Sequence, residues 1–190
     1  MIEATEATDD ELLQAWIAGD RRAGDRLVRR YAPRLTQFLS TKLEAHEIQD
    51  VIQLIWMGVL RARERFSGAE ATLETSFRAY LYAIARNQLY RHYRKRARDD
   101  FDPQVSRLLD IAPSLSRVVA SRSRERRLAD ATQQLPIDLQ VMLEMHYVAE
   151  LSCSEIAKAC ELPIGTVKSR LRRAKKMIEE ELAKGPVSPS

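Results

Sequence analysis

Two stretches of the chain place cationic and hydrogen-bonding side chains at spacings that suit a polyanion. From Arg86 to Arg98 the sequence carries Arg86, Arg91, Arg94, Lys95, Arg96 and Arg98 and no acid. Aromatic and amide groups are interleaved with them: Tyr80, Tyr82, Asn87, Tyr90, His92 and Tyr93. Aromatic faces beside cations suit unstacked bases and their phosphates. Tyr80 and Asn87, seven residues apart, share one helical face and could border a pocket for a flipped base. From Leu162 to Ile178 the chain again carries only cations: Lys168, Arg170, Arg172, Arg173, Lys175 and Lys176. One such run could be a solvated helix face. Two, each set among aromatic or small polar residues, are harder to read that way.

The sum of the charges hides this pattern. With 190 residues, 31 Lys+Arg against 27 Asp+Glu and a net charge of +4, the total demands no nucleic-acid partner. Local density carries the signal. An apolar content of 45% supports a packed interior, and the length suits one domain or two small ones. No run approaches the ~18 apolar residues of a membrane span, and the acidic start (Glu3, Glu6, Asp9, Asp10) has the wrong sign for a signal peptide. A cytoplasmic protein without membrane insertion is expected.

Chemistry on a substrate has little support. There is no glycine-rich phosphate loop, carboxylate cluster or His/Cys ligand set, so neither an enzyme nor a cofactor is expected. Cys153 and Cys160 lie seven apart with His146 nearby, but a metal site would lack its third and fourth ligands. Small core or boundary thiols are the better reading.

The elements that must position these groups are all helical, because no stretch alternates apolar and polar residues between turns. Thr8 and Glu11 form a capping box for a helix ending at Gly19-Asp20. A second runs from about residue 21 to 42, with Pro33 expected to kink it. A third covers about 45 to 65, and a fourth opens at Thr75 or Ser76 and runs into the first basic stretch. Residues 99–122, with Asp99, Asp100, Pro103 and Pro113, read as a linker. Four more helices are expected at about 123–134, 136–149, 152–160 and 164–183, before a fraying tail over 184–190. The fold class is all-α: a four-helix domain over 1–98 and a helix-turn-helix domain over 123–183.

Within the second domain, Ser152 and Glu155 form another capping box, and Glu161 to Pro163 a turn. Val167, Leu171 and Ala174 would hold the last helix against the core. Lys168, Ser169, Arg172 and Arg173 then point outward near its start, where a recognition helix meets the major groove. The N–H groups at Gly165-Thr166 could take a phosphate. In the first domain the third helix is unusually apolar between Ile48 and Leu60. Asp50, Gln53, Leu54 and Met57 lie off its core stripe. They would form a partner surface, unless the helix is surrounded on every side.

Three segments resemble a known family. Ser76-Phe77-Arg78-Ala79-Tyr80-Leu81-Tyr82-Ala83-Ile84-Ala85-Arg86-Asn87 is similar to the promoter-melting segment of bacterial sigma factors. Glu47-Ile48-Gln49-Asp50-Val51-Ile52-Gln53 resembles their core-polymerase-binding segment, and Leu162 to Leu171 their −35 reading helix. The two-domain layout is similar to the extracytoplasmic-function (ECF) group of the sigma-70 family. The resemblance implies that Glu47, Asp50, Val51, Gln53, Leu54 and Met57 dock on the clamp helices of core RNA polymerase, with the flap as a further contact. It implies that Tyr80 and Asn87 capture a −10 base while Arg86, Arg91, Arg94, Lys95 and Arg96 hold phosphates. Thr166, Lys168, Ser169, Arg172 and Arg173 would read the −35 element of promoter DNA.

One departure raises a question of control. Gln49 and Leu54 stand where the family commonly has carboxylates, which would weaken docking on a basic surface. Phosphorylation of Thr72, Thr75 or Ser76 by a Ser/Thr kinase could supply the missing charge, or the apolar contact of Leu54 could compensate. An anti-sigma factor is a further possible partner. The alternative to a sigma factor is a free-standing helix-turn-helix regulator, which would leave the first 98 residues without a role.

Overall fold

The computed structural model describes residues 7–66, 76–99 and 123–184, with eight helices and no strand among them. These are α1 (Asp9–Ile17), α2 (Arg21–Ser40), α3 (Ala45–Phe66), α4 (Phe77–Asp99), α5 (Ser123–Gln133), α6 (Ile137–Tyr147), α7 (Cys153–Cys160) and α8 (Ile164–Ala183). Apart from Asp99, which ends α4, and Lys184, which caps α8, the expected linker and tail lie outside the described residues.

Local chemistry sets the helix ends. Thr8 Oγ1 accepts the Glu11 N–H at 3.3 Å while Glu11 Oε2 accepts the Thr8 N–H at 2.8 Å, closing the expected capping box. Gly19 leaves α1 at φ +106°, a conformation that side-chain-bearing residues rarely adopt. Asp20 then caps α2 through the Arg22 N–H. α2 continues through Pro33, which sits on the exposed side where water can satisfy the carbonyl that loses its partner. Pro136 lies one position ahead of α6, at its N-cap, rather than at the first helical position.

The α1–α2 contact is close because Gly24 has no side chain; a Cβ there would lie 2.5 Å from Trp16 Nε1. Asp9 completes the join, accepting from Arg30 at 2.6 Å and from the Tyr31 hydroxyl. Asp10 accepts the first N–H of α4, from Phe77, at 3.0 Å. Leu27, Leu35, Phe38, Ile55, Val59, Leu81, Tyr82 and Leu89 fill the space between α2, α3 and α4. Tyr31 and Phe77, and Phe38 and Tyr82, meet edge to face, as aromatic quadrupoles prefer.

The C-terminal helices show the expected helix-turn-helix. Ser152 and Glu155 make the second capping box. Glu161 ends α7 in the left-handed region at φ 56°, and the Leu162 N–H returns to the Ala157 carbonyl at 2.9 Å. Val167 and Ala174 are fully buried and seat α8 as the spacing predicts. Buried Gln140 closes the α5–α6 corner by donating to the Gln133 and Leu135 carbonyls.

One feature has no counterpart in the sequence pattern. The apolar interior does not stop at the fourth helix: Ile137, Val141, Met142, Met145, Ile156, Cys160 and Val167 join the same core as α1–α4. The two helical halves are packed on each other, chiefly through α4 and α7.

Candidate polymerase and promoter surfaces

The three groups of candidate residues fall on three helices, and their exposure separates contact groups from supports. On α3, Asp50 and Gln53 are exposed, and so are Leu54 (46%), Met57 (46%) and Leu60 (44%). Large apolar groups left in water beside polar ones are what a protein-docking patch requires. Leu60 extends the patch by one turn and belongs with it. Val51 does not: only 1% of it is exposed, so it anchors α3 to the core and cannot itself touch a partner. Its apolar i, i+4, i+8 relation to Ile55 and Val59 marks this role.

Glu47 is also occupied within the chain. Its carboxylate accepts the Glu44 N–H at 2.9 Å and lies 3.0 Å from His92 Nε2 and 3.6 Å from Arg96. Burial pushes the Glu47 carboxyl up, but these three partners outweigh it and hold the group below the ordinary carboxylate range. Glu47 therefore starts α3 and ties it to α4. Gln49, the position without the family's acid, is exposed beside Asp50.

On α4, Asn87 is exposed and accepts a hydrogen bond from Arg86 Nη1 at 3.2 Å. The Arg86 guanidinium also lies 4.7 Å over the Tyr90 ring, a cation–π stack that fixes its direction. Tyr80 is half-buried on the same side as Asn87. Arg91, Arg94 and Lys95 are exposed and have no ion pair among the described residues. Arg96 is partly neutralised by Glu44 at 3.5 Å and by Glu47. The other aromatics are structural: Tyr82 is buried, which pushes its hydroxyl up to about 12, and Tyr93 donates to the Lys42 carbonyl at 2.7 Å.

On α8, Lys168, Ser169, Arg172 and Arg173 are all exposed on one side of the helix start. Ser169 Oγ bonds back to the Thr166 carbonyl at 3.0 Å, and Thr166 is half-buried. The Thr166 N–H is taken by the Pro163 carbonyl at 2.9 Å, so the N–H groups left for an anion are those of Ile164 and Gly165 rather than Gly165 and Thr166. Arg170 turns inward to Asp138 at 3.2 Å. Sequence reasoning missed Ile164, which is 46% exposed at the helix start and can contact a thymine methyl. Ser76 caps α4 through the Ala79 N–H and donates to Glu155; Thr72 and Thr75 lie outside the described residues.

Residues 27–99 match the sigma-70 region 2 family and residues 125–178 match sigma-70 region 4. The chain belongs to the sigma-70 family, ECF group. It is 30% identical to the ECF RNA polymerase sigma-E factor of Haemophilus influenzae, across 94% of this chain and 97% of the relative. It is 31% identical to the RNA polymerase sigma-H factor of Pseudomonas aeruginosa, across 94% and 95%. Among solved structures it resembles CnrH in complex with the cytosolic domain of CnrY, with a TM-score of 0.65, 22% identity and coverage of 94% and 99%. It also resembles the sigma factor RpoE in complex with the anti-sigma factor NepR from Bartonella quintana, with a TM-score of 0.65, 23% identity and coverage of 84% and 96%.

As an ECF sigma factor the chain works with core RNA polymerase in promoter recognition and transcription initiation. The region 2 match gives the first half of the chain a role, and the free-standing regulator is set aside. Neither matched family is a catalytic one. Among the described residues no helix is long and apolar enough to cross a membrane, and no group of His, Cys, Asp and Glu could hold a metal.

Proposed function

We propose that the α3 patch of Asp50, Gln53, Leu54, Met57 and Leu60 docks on the polymerase clamp helices, with Val51 and Glu47 holding that helix in place. Asn87 and Tyr80 capture a non-template base of the −10 element, while Arg91, Arg94 and Lys95 hold the melted strand by its phosphates. Arg86, stacked on Tyr90 and bonded to Asn87, orients the amide. Lys168, Ser169, Arg172 and Arg173 read the −35 element, with Ile164 and Gly165 at the helix start. The domain boundaries follow: region 2 over 1–98 and region 4 over 123–183, with 99–122 between them. The protein acts in the cytoplasm as a non-enzymatic initiation subunit.

The observation that supports this reading best is the simultaneous exposure of three chemically distinct surfaces on helices whose other faces are buried. Transcription from a single promoter by core polymerase plus this chain is the direct test. Initiation dependent on the chain supports it; promoter binding with no initiation would not.

Control by an anti-sigma factor or a kinase belongs to the same proposal. At Ser76 a phosphate would sit beside the Glu155 carboxylate, breaking that contact instead of replacing the acid missing from α3. Polymerase binding that is equal for unmodified and phosphorylated protein removes the need for a kinase.

A further inference from the structure

A third cationic surface lies on α2, outside both basic runs of the sequence. The helix carries Arg21, Arg22, Arg26, Arg29, Arg30 and Arg34, interrupted by one acid, Asp25. Two of the six are engaged within the domain: Arg30 donates to Asp9 at 2.6 Å, and Arg34 lies 5.6 Å over the Tyr31 ring. Arg22, Arg26 and Arg29 are exposed and make no ion pair among the described residues, and neither does Asp25. Their spacing of four and three residues puts these three arginines on one face, over about 10 Å of helix. Exposed Pro33 and Gln37 continue that face without charge. Across the helix from it, Leu27, Tyr31 and Leu35 are buried in the core.

This face works against the helix that bears it. α2 opens with Arg21 and Arg22, has no acid in its first turn and has no cation in its last. Cations at a helix N-terminus oppose the macrodipole. Arg22 and Arg26, and Arg26 and Arg29, repel each other along the stripe. α1 follows the favourable rule, with Asp9, Asp10 and Glu11 in its first turn. A face that costs its own helix stability has its reason outside the helix.

Beside Arg22 and Arg26, a cleft of about 630 Å³ opens between α1 and α2. Leu12, Ala15 and Ala23 give it an apolar lining. Glu11 and Asp20 line it too, but each carboxylate accepts a backbone N–H, from Thr8 at 2.8 Å and from Arg22 at 2.9 Å. Neither carboxylate pairs with a guanidinium.

The stripe looks away from α3 and α4, because the opposite side of α2 packs on them and Tyr31 meets Phe77 of α4 edge to face. A strand held on α4 therefore lies on the wrong side to reach it. A sugar–phosphate backbone also has no group that suits an apolar cleft. An acidic amphipathic helix supplies both needs. Carboxylates at the same spacing meet the guanidinium forks, and an apolar side chain of the same face enters the cleft.

We propose that Arg22, Arg26 and Arg29, with the adjoining α1–α2 cleft, dock an acidic amphipathic helix of a partner protein. No residue of the polymerase or promoter surfaces takes part, so the inference stands apart from that reading.

The probe is a fluorescein-labelled three-heptad peptide of repeated Glu-Ala-Leu-Glu-Glu-Ala-Leu, titrated with the full chain by anisotropy. The wild type is expected to bind it. The triple variant Arg22→Gln, Arg26→Gln and Arg29→Gln should bind about tenfold more weakly, as three exposed charge pairs are lost. Its thermal midpoint should be no lower than that of the wild type, since the repulsion within α2 is relieved, and this separates lost docking from lost fold. Peptides with Gln for Glu, or with Ala for Leu, should each bind more weakly. Arg91→Gln with Lys95→Gln should bind the peptide as well as the wild type does, which assigns the contact to α2 rather than α4. Absence of binding by the wild type, equal binding by the triple variant, or an equal loss in the Arg91 and Lys95 variant overturns the proposal. So does a triple variant that loses affinity for promoter DNA while keeping the peptide, because the face would then belong to nucleic acid.

Discussion

Glu47 Oε1 of α3 and His92 Nε2 of α4 lie 3.0 Å apart, and Arg96 joins the same carboxylate one turn later. A residue read from the sequence as a polymerase contact is thus the staple between the docking helix and the melting helix. The join meets α4 at His92, five residues beyond Asn87 and two beyond Tyr90.

Glu47→Ala should therefore lower stability by about 1 kcal/mol, through loss of the helix-start bond and the α3–α4 tie. The sign with pH is fixed by the depressed Glu47 pKa: the stabilisation is present above the unfolded value near 4.5 and is lost as pH falls through the folded value. Urea titrations at neutral and acid pH should show wild type losing more stability than Glu47→Gln as the carboxyl protonates. Equal losses would mean that the staple contributes nothing.

Leu54→Ala and Met57→Ala should each weaken core-polymerase binding by about 1–2 kcal/mol, as expected for partly exposed apolar anchors that become buried on docking. Gln49→Glu addresses the missing acid. A gain in affinity would show that charge is limiting, and no change that the apolar groups suffice. Fluorescence anisotropy of labelled protein against core polymerase reads both.

Asn87→Ala should impair open-complex formation more than −35 binding, by about 1–3 kcal/mol for a lost base contact. Permanganate footprinting of the melted strand alongside duplex binding separates the two effects. An equal loss of both would remove the base-capture role.

Arg172→Ala should relax sequence preference in the −35 element at one position, costing about 1–3 kcal/mol on the preferred base. Lys95→Ala should weaken binding evenly across sequences and reduce the salt slope by about 1. Competition binding over a salt series distinguishes a base reader from a phosphate clamp.

Gly24→Ala should destabilise the protein by about 1–3 kcal/mol, because its Cβ would lie 2.5 Å from the Trp16 ring and α1 must shift off α2. Thermal unfolding checks this, and an unchanged midpoint would mean that the α1–α2 contact yields freely.

The helices and their ends were legible in the sequence because their causes are local. Capping boxes at Thr8–Glu11 and Ser152–Glu155, the glycine at position 19 and the Val167–Ala174 stripe each act within a few residues. The exposed residues of α3 and α8 could likewise be read from periodicity. What could not be read depends on distant partners. Val51 is not such a case: its stripe with Ile55 and Val59 marks it as core, and only the family resemblance put it among the contacts. Glu47 looked like any exposed first-turn acid until His92, 45 positions away, met it. The buried pairing of Lys42 with Glu144 gave no sign at all, since a lysine at a helix end is ordinarily solvated, and its partner lies 102 positions along the chain.

Reconstituted transcription is the most direct measurement of the central claim. Core polymerase supplied with this chain should initiate from one promoter. Asn87→Ala should reduce melting while the −35 contact persists, and Leu54→Ala with Met57→Ala should reduce polymerase binding itself. Initiation that is unchanged by both sets of substitutions, or none with the wild-type chain, would contradict the account.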